Sequence, residues 1–330
     1  MENFRKTSFI VLFLLLVFNL AFAGSDPLPS WNEGTAKTAV TDFVRSVTTK
    51  GDPSYVDPAD RIAVSDNDGT LMSEQPIYFQ FLFEAMNLRE LSAMKFSMTD
   101  PASVKNAIDY LSASDSFGEV FTDPVTGVRK SDEEFRAEVE RFLATTLHPR
   151  FNRPFLELVF QPMLELIRYL NANEFKVYIV TGTHCEFIRL WSEKTFGIPP
   201  EQVVGSTLKT TFEFSDGIGI LKRGPEVNMI CNGAGKPAAI GYFIGKRPIA
   251  AFGNSDGDLQ MLQYATTGKG KSLGMLIHHT DAVREWAYDS PSDIGELKDG
   301  MQEAAKQGWI VVDMKKDWKV IYPFEPSGKQ

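Results

Sequence analysis

The stretch IAVSDNDGT, residues 62–70, runs from a short apolar segment directly into two aspartates, Asp66 and Asp68, and a Gly-Thr pair. The apolar segment is typical of a short buried β-strand. Two interpretations of its acidic end are open at this point. Asp, Asn and Gly are ordinary turn residues, whereas two carboxylates at this spacing are also typical of a metal site.

Polar residues follow two further predicted strands, and a lysine precedes a predicted helix. The segment FKVYIV leads into Thr181-Gly182-Thr183, and PIAAF leads into the loop GNSDGD, residues 253–258. Lys236 comes just before a helix predicted from Pro237. Because ligands bind at the carboxyl ends of the strands in open parallel sheets, we expect these groups to meet in one site.

Helix and strand signals alternate along most of the chain. We predict helices at residues 33–47, with Asn32 as N-cap, and at 162–173 and 185–197. A hairpin is predicted to turn at Asp216-Gly217. Strands separated by helices predict an α/β fold, with a mostly parallel sheet covered on both faces. Residues 76–154 interrupt this pattern with helical, amphipathic sequence that begins with an aromatic cluster, for which a buried structural role is favoured over ligand contact.

The first 23 residues have the features of a secretory signal peptide. Arg5 and Lys6 precede an apolar run that ends in the cleavage signal Ala21-Phe22-Ala23. We therefore predict an exported protein, periplasmic or secreted, with no stable membrane association after cleavage. An uncleaved membrane anchor is the alternative.

Composition excludes a nucleic-acid binder. The chain has a net charge of −9, and loss of residues 1–23, which carry Glu2, Arg5 and Lys6, removes a net +1 and leaves −10. Such a chain lacks the basic stripe that binding of nucleic acid requires.

The chain has only two cysteines, Cys185 and Cys231, so it is not a disulfide scaffold. Either one disulfide between them or two buried free thiols remains open. Cys185 lacks the partner pattern of a nucleophile.

The order of four motifs along the chain resembles the haloacid dehalogenase-like (HAD) superfamily. These motifs are DxDGT, the strand ending in Thr, the lysine before a helix, and GNSDGD. The resemblance covers the mature chain and is closest to the phosphoserine phosphatase branch, in an exported bacterial form. It implies a Rossmann-like parallel sheet core with helices on both faces, formed by residues 24–75 and 155–330. It also implies an inserted, mainly helical cap of the C1 type at residues 76–154.

The resemblance implies a phosphatase and gives roles to individual residues. Asp66 would be the nucleophile that forms an aspartyl-phosphate, and Asp68 would be the general acid and base. Since dehalogenases of the superfamily lack a carboxylate at the second position, Asp68 argues for phosphoryl transfer. The groups expected to neutralise the nucleophile or bind phosphoryl oxygens are Lys236, Thr181 and the N–H groups of Gly182 and Thr183.

A phosphate beside two carboxylates requires a cation, because their repulsion amounts to several kcal/mol at roughly 3 to 4 Å even at an effective dielectric of about 20. Mg²⁺ suits oxygen ligands. The expected ligands are the Asp66 side chain, the Asp68 carbonyl and an oxygen of the last motif. That motif commonly has Asp after its Gly, where this chain has Asn254. We expect Asn254 and Asp258 to be ligands, with Asp256 a loop residue.

Three further residues carry weaker signals. Glu74 lies near, but one position short of, the glutamate that contacts the substrate in phosphoserine phosphatases, so we assign it to substrate binding, with helix capping or a surface role as alternatives. His184 either points at the phosphate or is solvated at a helix start. The adjacent His278 and His279 suggest zinc, but neighbours on an extended segment point in opposite directions, so at most one is expected near the site.

The leading hypothesis is a Mg²⁺-dependent phosphatase acting on a small phosphorylated metabolite. Two alternatives remain. Asn254 is compatible with weakened metal binding, and hence with a non-hydrolytic phosphate-binding module. Phosphoryl transfer to an acceptor alcohol would use every catalytic residue named above.

Overall fold

The fold is described from a computed structural model, which covers residues 26–88, 95–113, 116–123 and 129–325. The predicted signal peptide lies outside the described residues. Within them, none of the helices combines the length and the apolar character needed to cross a membrane.

An eight-stranded sheet forms the centre of the molecule, in the order β4-β3-β2-β1-β5-β6-β7, with β8 paired to β6. Strand β1 lies parallel to both β2 and β5, and only the β3–β4 and β6–β7 pairs are antiparallel. The strands are β1 Ile62–Ser65, β2 Lys176–His184, β3 Val203–Ser215, β4 Ile218–Met229, β5 Ala250–Gly253, β6 Leu273–Thr280, β7 Ala287–Tyr288 and β8 Ile310–Asp313.

The described residues contain eleven α-helices. They are α1 Thr35–Thr48, α2 Phe79–Asn87, α3 Pro101–Ala113, α4 Asp132–Thr145, α5 Gln161–Ala172, α6 Cys185–Ile188, α7 Ser192–Phe196, α8 Gly235–Ala239, α9 Leu259–Thr266, α10 Asp299–Gln307 and α11 Met314–Asp317. The predicted helix at 185–197 is therefore two short helices. The N-cap prediction for α1 was wrong, because Gly34 occupies that position and the Asn32 amide donates to the carbonyl of Lys316 instead.

Alternate residues of the central strands enter two different apolar clusters. Ala63, Ala250 and Phe252 belong to the larger cluster, whereas Val64 and Ala251 belong to the smaller one. This alternation follows from the two-residue period of a strand, and two buried faces explain why these strands are apolar throughout. The predicted α/β architecture with helices on both faces of a mostly parallel sheet is confirmed.

The long insertion between β1 and α5 contains helices α2, α3 and α4 among its described residues. The Phe79 and Phe83 rings of α2 are buried, and both pack against Phe142 of α4 and Phe187 of α6. These two phenylalanines are therefore core residues, as the sequence favoured. The division into a core and a cap at residues 76 and 154 remains a prediction.

The hairpin of β3 and β4 turns at Asp216 and Gly217, as predicted. Both residues have positive φ angles, 54° and 79°, which matches the turn that suits the twist of a two-residue hairpin.

Candidate active site

The two aspartates of the first motif lie where the central strand ends. Asp66 is the first residue after β1, and its N–H donates to the carbonyl of Phe252 in β5. Gly69 has a φ of +73°, which permits the tight turn that follows. The Thr70 hydroxyl donates to Oδ1 of Asn254 at 2.9 Å and so ties the first motif to the last.

Lys236 lies between two carboxylates. Its Nζ is 2.7 Å from Oδ1 of Asp66 and 2.6 Å from Oδ1 of Asp258, and all three side chains are buried. Burial alone would lower the pKa of Lys236, but the two carboxylates outweigh it and raise the pKa above its usual value. The side chain is therefore a permanent positive charge beside the expected nucleophile.

The pKa of Asp66 is raised to about 7. Burial is the main cause and the charge of Asp258 adds to it, while Lys236 opposes both. Asp66 therefore lies in a site that disfavours further negative charge unless a cation is added.

Asp258 is occupied by protein donors on both carboxylate oxygens. Besides the contact of Oδ1 with Lys236, Oδ2 accepts from the N–H groups of Asn254 at 3.0 Å and Ser255 at 3.1 Å. The side chain is fully buried. Asp258 was predicted to bind metal, and these donors leave it few free acceptor positions for a cation. Its contacts favour a different role, which is to hold Lys236 and the loop in place.

Asp256 caps a helix, in agreement with its assignment as a loop residue. Its carboxylate accepts from the N–H groups at the start of α10, those of Lys298, Asp299 and Gly300, at 2.7 to 3.1 Å. These contacts satisfy N–H groups that have no partner within the helix.

Asp68 is held by the hydroxyl of Thr183, a residue for which the sequence predicted a role only for the backbone N–H. Oγ1 of Thr183 donates to Oδ2 of Asp68 at 2.8 Å, whereas Oδ1 of Asp68 is buried and has no hydrogen-bond partner within the described ranges. Burial raises the pKa of Asp68, and the Thr183 bond partly opposes this. The N–H of Thr183, which was expected to bind phosphate, donates to Oγ1 of Thr181 instead.

Glu74 is buried beside the last motif. Its Oε1 accepts from Nδ2 of Asn254 and from the hydroxyl of Tyr288, both at 2.7 Å. A surface role is therefore wrong, and helix capping is wrong as well, because Tyr78 is the N-cap of α2. Burial raises the pKa of Glu74 to about 8, although His279 and Tyr288 act in the opposite direction.

A cavity of about 670 Å³ joins most of these groups. On one side it is lined by residues of helix α2 and the preceding turn, including Tyr78, Gln80 and Phe81. Its volume suits a small organic molecule. Of the predicted site residues, those that line it are Asp66, Asp68, Glu74, Thr181, Gly182, Thr183 and Lys236. Asn254 and Asp258 lie behind this surface.

The histidines do not form a zinc site. His279 is buried, with Nε2 at 2.8 Å from the carbonyl of Gly69 and Nδ1 at 3.0 Å from Oε2 of Glu285. His278 faces elsewhere and approaches Asp289.

His184 lines the cavity and its ring stacks on the ring of Phe117, with a centroid distance of 4.3 Å. A solvated position for His184 was therefore wrong.

Both cysteines are buried free thiols. Burial raises the pKa of Cys185 and of Cys231 to about 12, so both remain protonated near neutral pH. Since the thiolate is the reactive form, neither is suited to act as a nucleophile.

The donor set fits Mg²⁺ on charge and on chemistry. Two buried carboxylates, those of Asp66 and Asp258, contact the ammonium of Lys236, and the buried carboxyl groups of Asp68 and Glu74 line the same cavity as Asp66. In the part of the chain that the structure describes, Oδ1 of Asp68 lacks a partner, and several buried carboxyl groups are costly to ionise together unless a cation offsets their charge. No three His, Cys, Asp or Glu side chains of the described ranges converge as a ready-made metal site. The expected ligands are instead mixed and include a backbone carbonyl.

Comparison with known proteins places the site in a family. A family model described as haloacid dehalogenase-like hydrolase matches residues 63–263, which include all four motifs. No curated protein sequence matches the chain significantly.

Several solved structures are similar at low identity. A protein of unknown function from Bordetella pertussis Tohama I is 15% identical, with 77% of this chain and 99% of that chain covered and a TM-score of 0.49. A functionally unknown protein from Anaerococcus prevotii has the same identity and TM-score, with 84% and 91% covered. A phosphoserine phosphohydrolase-like protein from Francisella tularensis is 19% identical, with 66% and 87% covered and a TM-score of 0.37. At these values the likenesses carry no conclusion about the substrate of this chain.

Proposed function

The chain belongs to the haloacid dehalogenase-like hydrolase family, and from this premise we propose that it is a Mg²⁺-dependent phosphatase of small organic phosphate monoesters. The observation that carries the proposal is the arrangement at the floor of the cavity. The Asp66 carboxylate faces the cavity with Lys236 against one oxygen, and Asp68 lies beside it. A nucleophile, a fixed positive charge and a second carboxyl group are the parts that phosphoryl transfer through an aspartyl-phosphate needs.

In the first half-reaction, an oxygen of Asp66 attacks phosphorus and the bond from phosphorus to the leaving oxygen breaks. Asp68, whose pKa is raised by burial, gives its proton to that oxygen, so the alcohol leaves uncharged. Lys236 offsets negative charge on Asp66 and on the transferred group. Bound Mg²⁺ would neutralise further charge on the nucleophile and the phosphoryl oxygens.

In the second half-reaction, water attacks the phosphorus of the aspartyl-phosphate. Asp68, now ionised, takes a proton from this water, and the bond between phosphorus and the Asp66 oxygen breaks to release phosphate. Thr183 keeps Asp68 in place in both steps through its hydrogen bond to Oδ2. Thr181 and the N–H of Gly182, which line the same cavity, would bind the remaining phosphoryl oxygens.

We expect a small substrate because the cavity has a volume of about 670 Å³. We expect it outside the cytoplasm because a signal peptide is predicted at residues 1–23. The insertion at residues 76–154 would act as the cap that encloses the alcohol part of the substrate. Tyr78 and Phe81, which come from the beginning of this insertion, line the cavity and support that assignment. Enclosure would keep bulk water from the reacting phosphate.

The test is release of phosphate from an aryl phosphate by the mature protein, with and without Mg²⁺, beside Asp66→Asn. The matched control is Asp42→Asn, which removes an exposed carboxylate on α1 that pairs with Arg45. We expect metal-dependent turnover in the wild type and in the control, and none in Asp66→Asn. No turnover together with tight binding of a phosphate analogue would favour the binding module. Formation of a new phosphate ester in the presence of an alcohol would favour the transferase.

A further inference from the structure

The Asn254 side chain is held at both ends in an orientation that turns its oxygen away from Glu74. Nδ2 donates to Oε1 of Glu74 at 2.7 Å, and Oδ1 accepts from the Thr70 hydroxyl at 2.9 Å. In this orientation the amide presents its nitrogen to Glu74, which suits the ionised carboxylate that a cation would require, since that form only accepts hydrogen bonds. The atom next to Glu74 is thus the one that cannot bind a cation, and the amide oxygen already has a donor.

The Glu74 carboxylate occupies a place that two glycines leave open. A Cβ atom on Gly69 would lie 2.4 Å from Oε1 of Glu74, and a Cβ on Gly295 would lie 1.9 Å from it. Both glycines have positive φ angles, 73° and 65°. The Tyr288 hydroxyl also donates to Oε1. The Glu74 carboxylate therefore packs against the loop that follows Asp66. A side chain larger than that of glycine at position 69 or 295 would collide with it.

The site lacks a carboxyl group at position 254 and has an additional one at position 74. An asparagine side chain carries no formal charge, so it cannot offset a divalent cation as a carboxylate does. Glu74 is buried, lies next to Asn254 and lines the same cavity as Asp66 and Asp68. A second observation is that Oδ1 of Asp68, in the same cavity, is buried without a hydrogen-bond partner among the residues that the structure describes, so it is available to a cation or to its bound water.

We propose that Glu74 supplies the anionic side-chain ligand that position 254 lacks, and that Asn254 is a positioning residue which orients Glu74. The inference rests on the proposed Mg²⁺-dependent function. It replaces the assignment of Glu74 to substrate binding, and it means that the acidic ligand comes from the segment after the first motif instead of from the last motif.

The test is titration of the metal-free mature protein with Mn²⁺ by calorimetry, without substrate, for the wild type, Glu74→Gln, Asn254→Asp and the double variant. The control is Glu165→Gln, a buried glutamate on helix α5 that accepts hydrogen bonds from Ser30 and does not line the cavity. We expect Glu74→Gln to weaken Mn²⁺ binding by at least about 10-fold, and the control to change it by less than about twofold. The double variant should recover most of the affinity, because it returns a carboxylate across the same 2.7 Å contact.

The Asn254→Asp variant gives a readout that does not depend on affinity alone. It puts two carboxylates at the 2.7 Å contact, so the metal-free protein should unfold at a lower temperature than the wild type, and Mn²⁺ should raise that temperature by more. Unchanged Mn²⁺ affinity in Glu74→Gln with a raised KM would overturn the inference and return Glu74 to substrate binding. Failure of the double variant to recover, with its fold intact by circular dichroism, would overturn it too. No Mn²⁺ binding by the wild type would instead contradict the proposed function itself.

Discussion

Nζ of Lys236 lies 2.7 Å from Oδ1 of Asp66, and this contact joins the helix α8 to the loop after β1 in the interior of the protein. The same ammonium lies 2.6 Å from Asp258. The lysine thus offsets two buried carboxylates that would otherwise repel one another. It contributes both to the charge of the site and to the stability of the fold around it.

Replacing this lysine should therefore destabilise the protein as well as inactivate it. In Lys236→Met both carboxylates lose their partner, and breaking a buried pair in this way costs about 3–5 kcal/mol. Urea unfolding in the presence of a chelator measures the loss. The control is Lys246→Met, whose partner Asp60 is exposed, and which should cost about 0–1 kcal/mol. A loss below about 1 kcal/mol for Lys236→Met would mean that the two carboxylates are not ionised together.

The Thr183 hydroxyl should affect catalysis more than substrate binding. Thr183→Val keeps the shape of the side chain but removes the 2.8 Å hydrogen bond that orients Asp68. Because Asp68 would then reach the leaving oxygen less often, we expect kcat to fall by about 10-fold or more with KM little changed. Steady-state kinetics on an aryl phosphate test this, with Thr210→Val on the exposed hairpin as the control. An equal rise in KM would instead assign Thr183 to phosphate binding.

The two thiols should be inert in the folded protein. Both are buried, and the pKa of each is raised to about 12. A disulfide reagent such as dithionitrobenzoate should therefore react with neither at pH 8 in buffer, and with both after unfolding in urea. Fast reaction of one thiol in the native protein would show that its burial is only transient.

The position of the site could be predicted from the sequence, because parallel strands end at one edge of a sheet. Asp66 directly follows β1, and Thr181 lies in the last part of β2 next to it. The spacing of apolar residues and the polar residues at strand ends are local features of the sequence. These features were enough to predict which elements meet at the site. The Asp216-Gly217 turn was predicted for the same reason, since only its own two residues decide it.

The contacts between side chains could not be predicted in this way. The Asn254–Glu74 bond joins residues 180 positions apart, and the Thr183–Asp68 bond joins residues 115 apart. Tyr288, which also binds Glu74, belongs to a segment with no motif. Side-chain orientation and burial depend on packing across the whole fold, which explains why a surface position for Glu74 and a solvated position for His184 stayed open as alternatives.

His279 supports the first motif from behind, and its protonation should make stability depend on pH. Nε2 faces the carbonyl of Gly69 and Nδ1 faces Glu285, so the protonated ring can donate to both. Burial alone would lower the pKa of His279, but Glu285, with further help from Glu74, raises it above the ordinary 6.5. A raised pKa in the folded state means that the protonated histidine contributes its full stability below about pH 6.5. This contribution is lost as the pH rises through the pKa of the folded protein.

We therefore expect His279→Gln to lower the free energy of unfolding most at pH 6, with the difference from wild type shrinking as the pH rises to 9. Chemical unfolding at four pH values in a chelator measures this trend. The matched control is His278→Gln, because that ring is less buried and its contact with Asp289 is long, at 3.4 Å. It should show a small difference at every pH. A His279→Gln difference that stays constant from pH 6 to 9 would mean that the ring is neutral throughout and supports Gly69 through a single hydrogen bond.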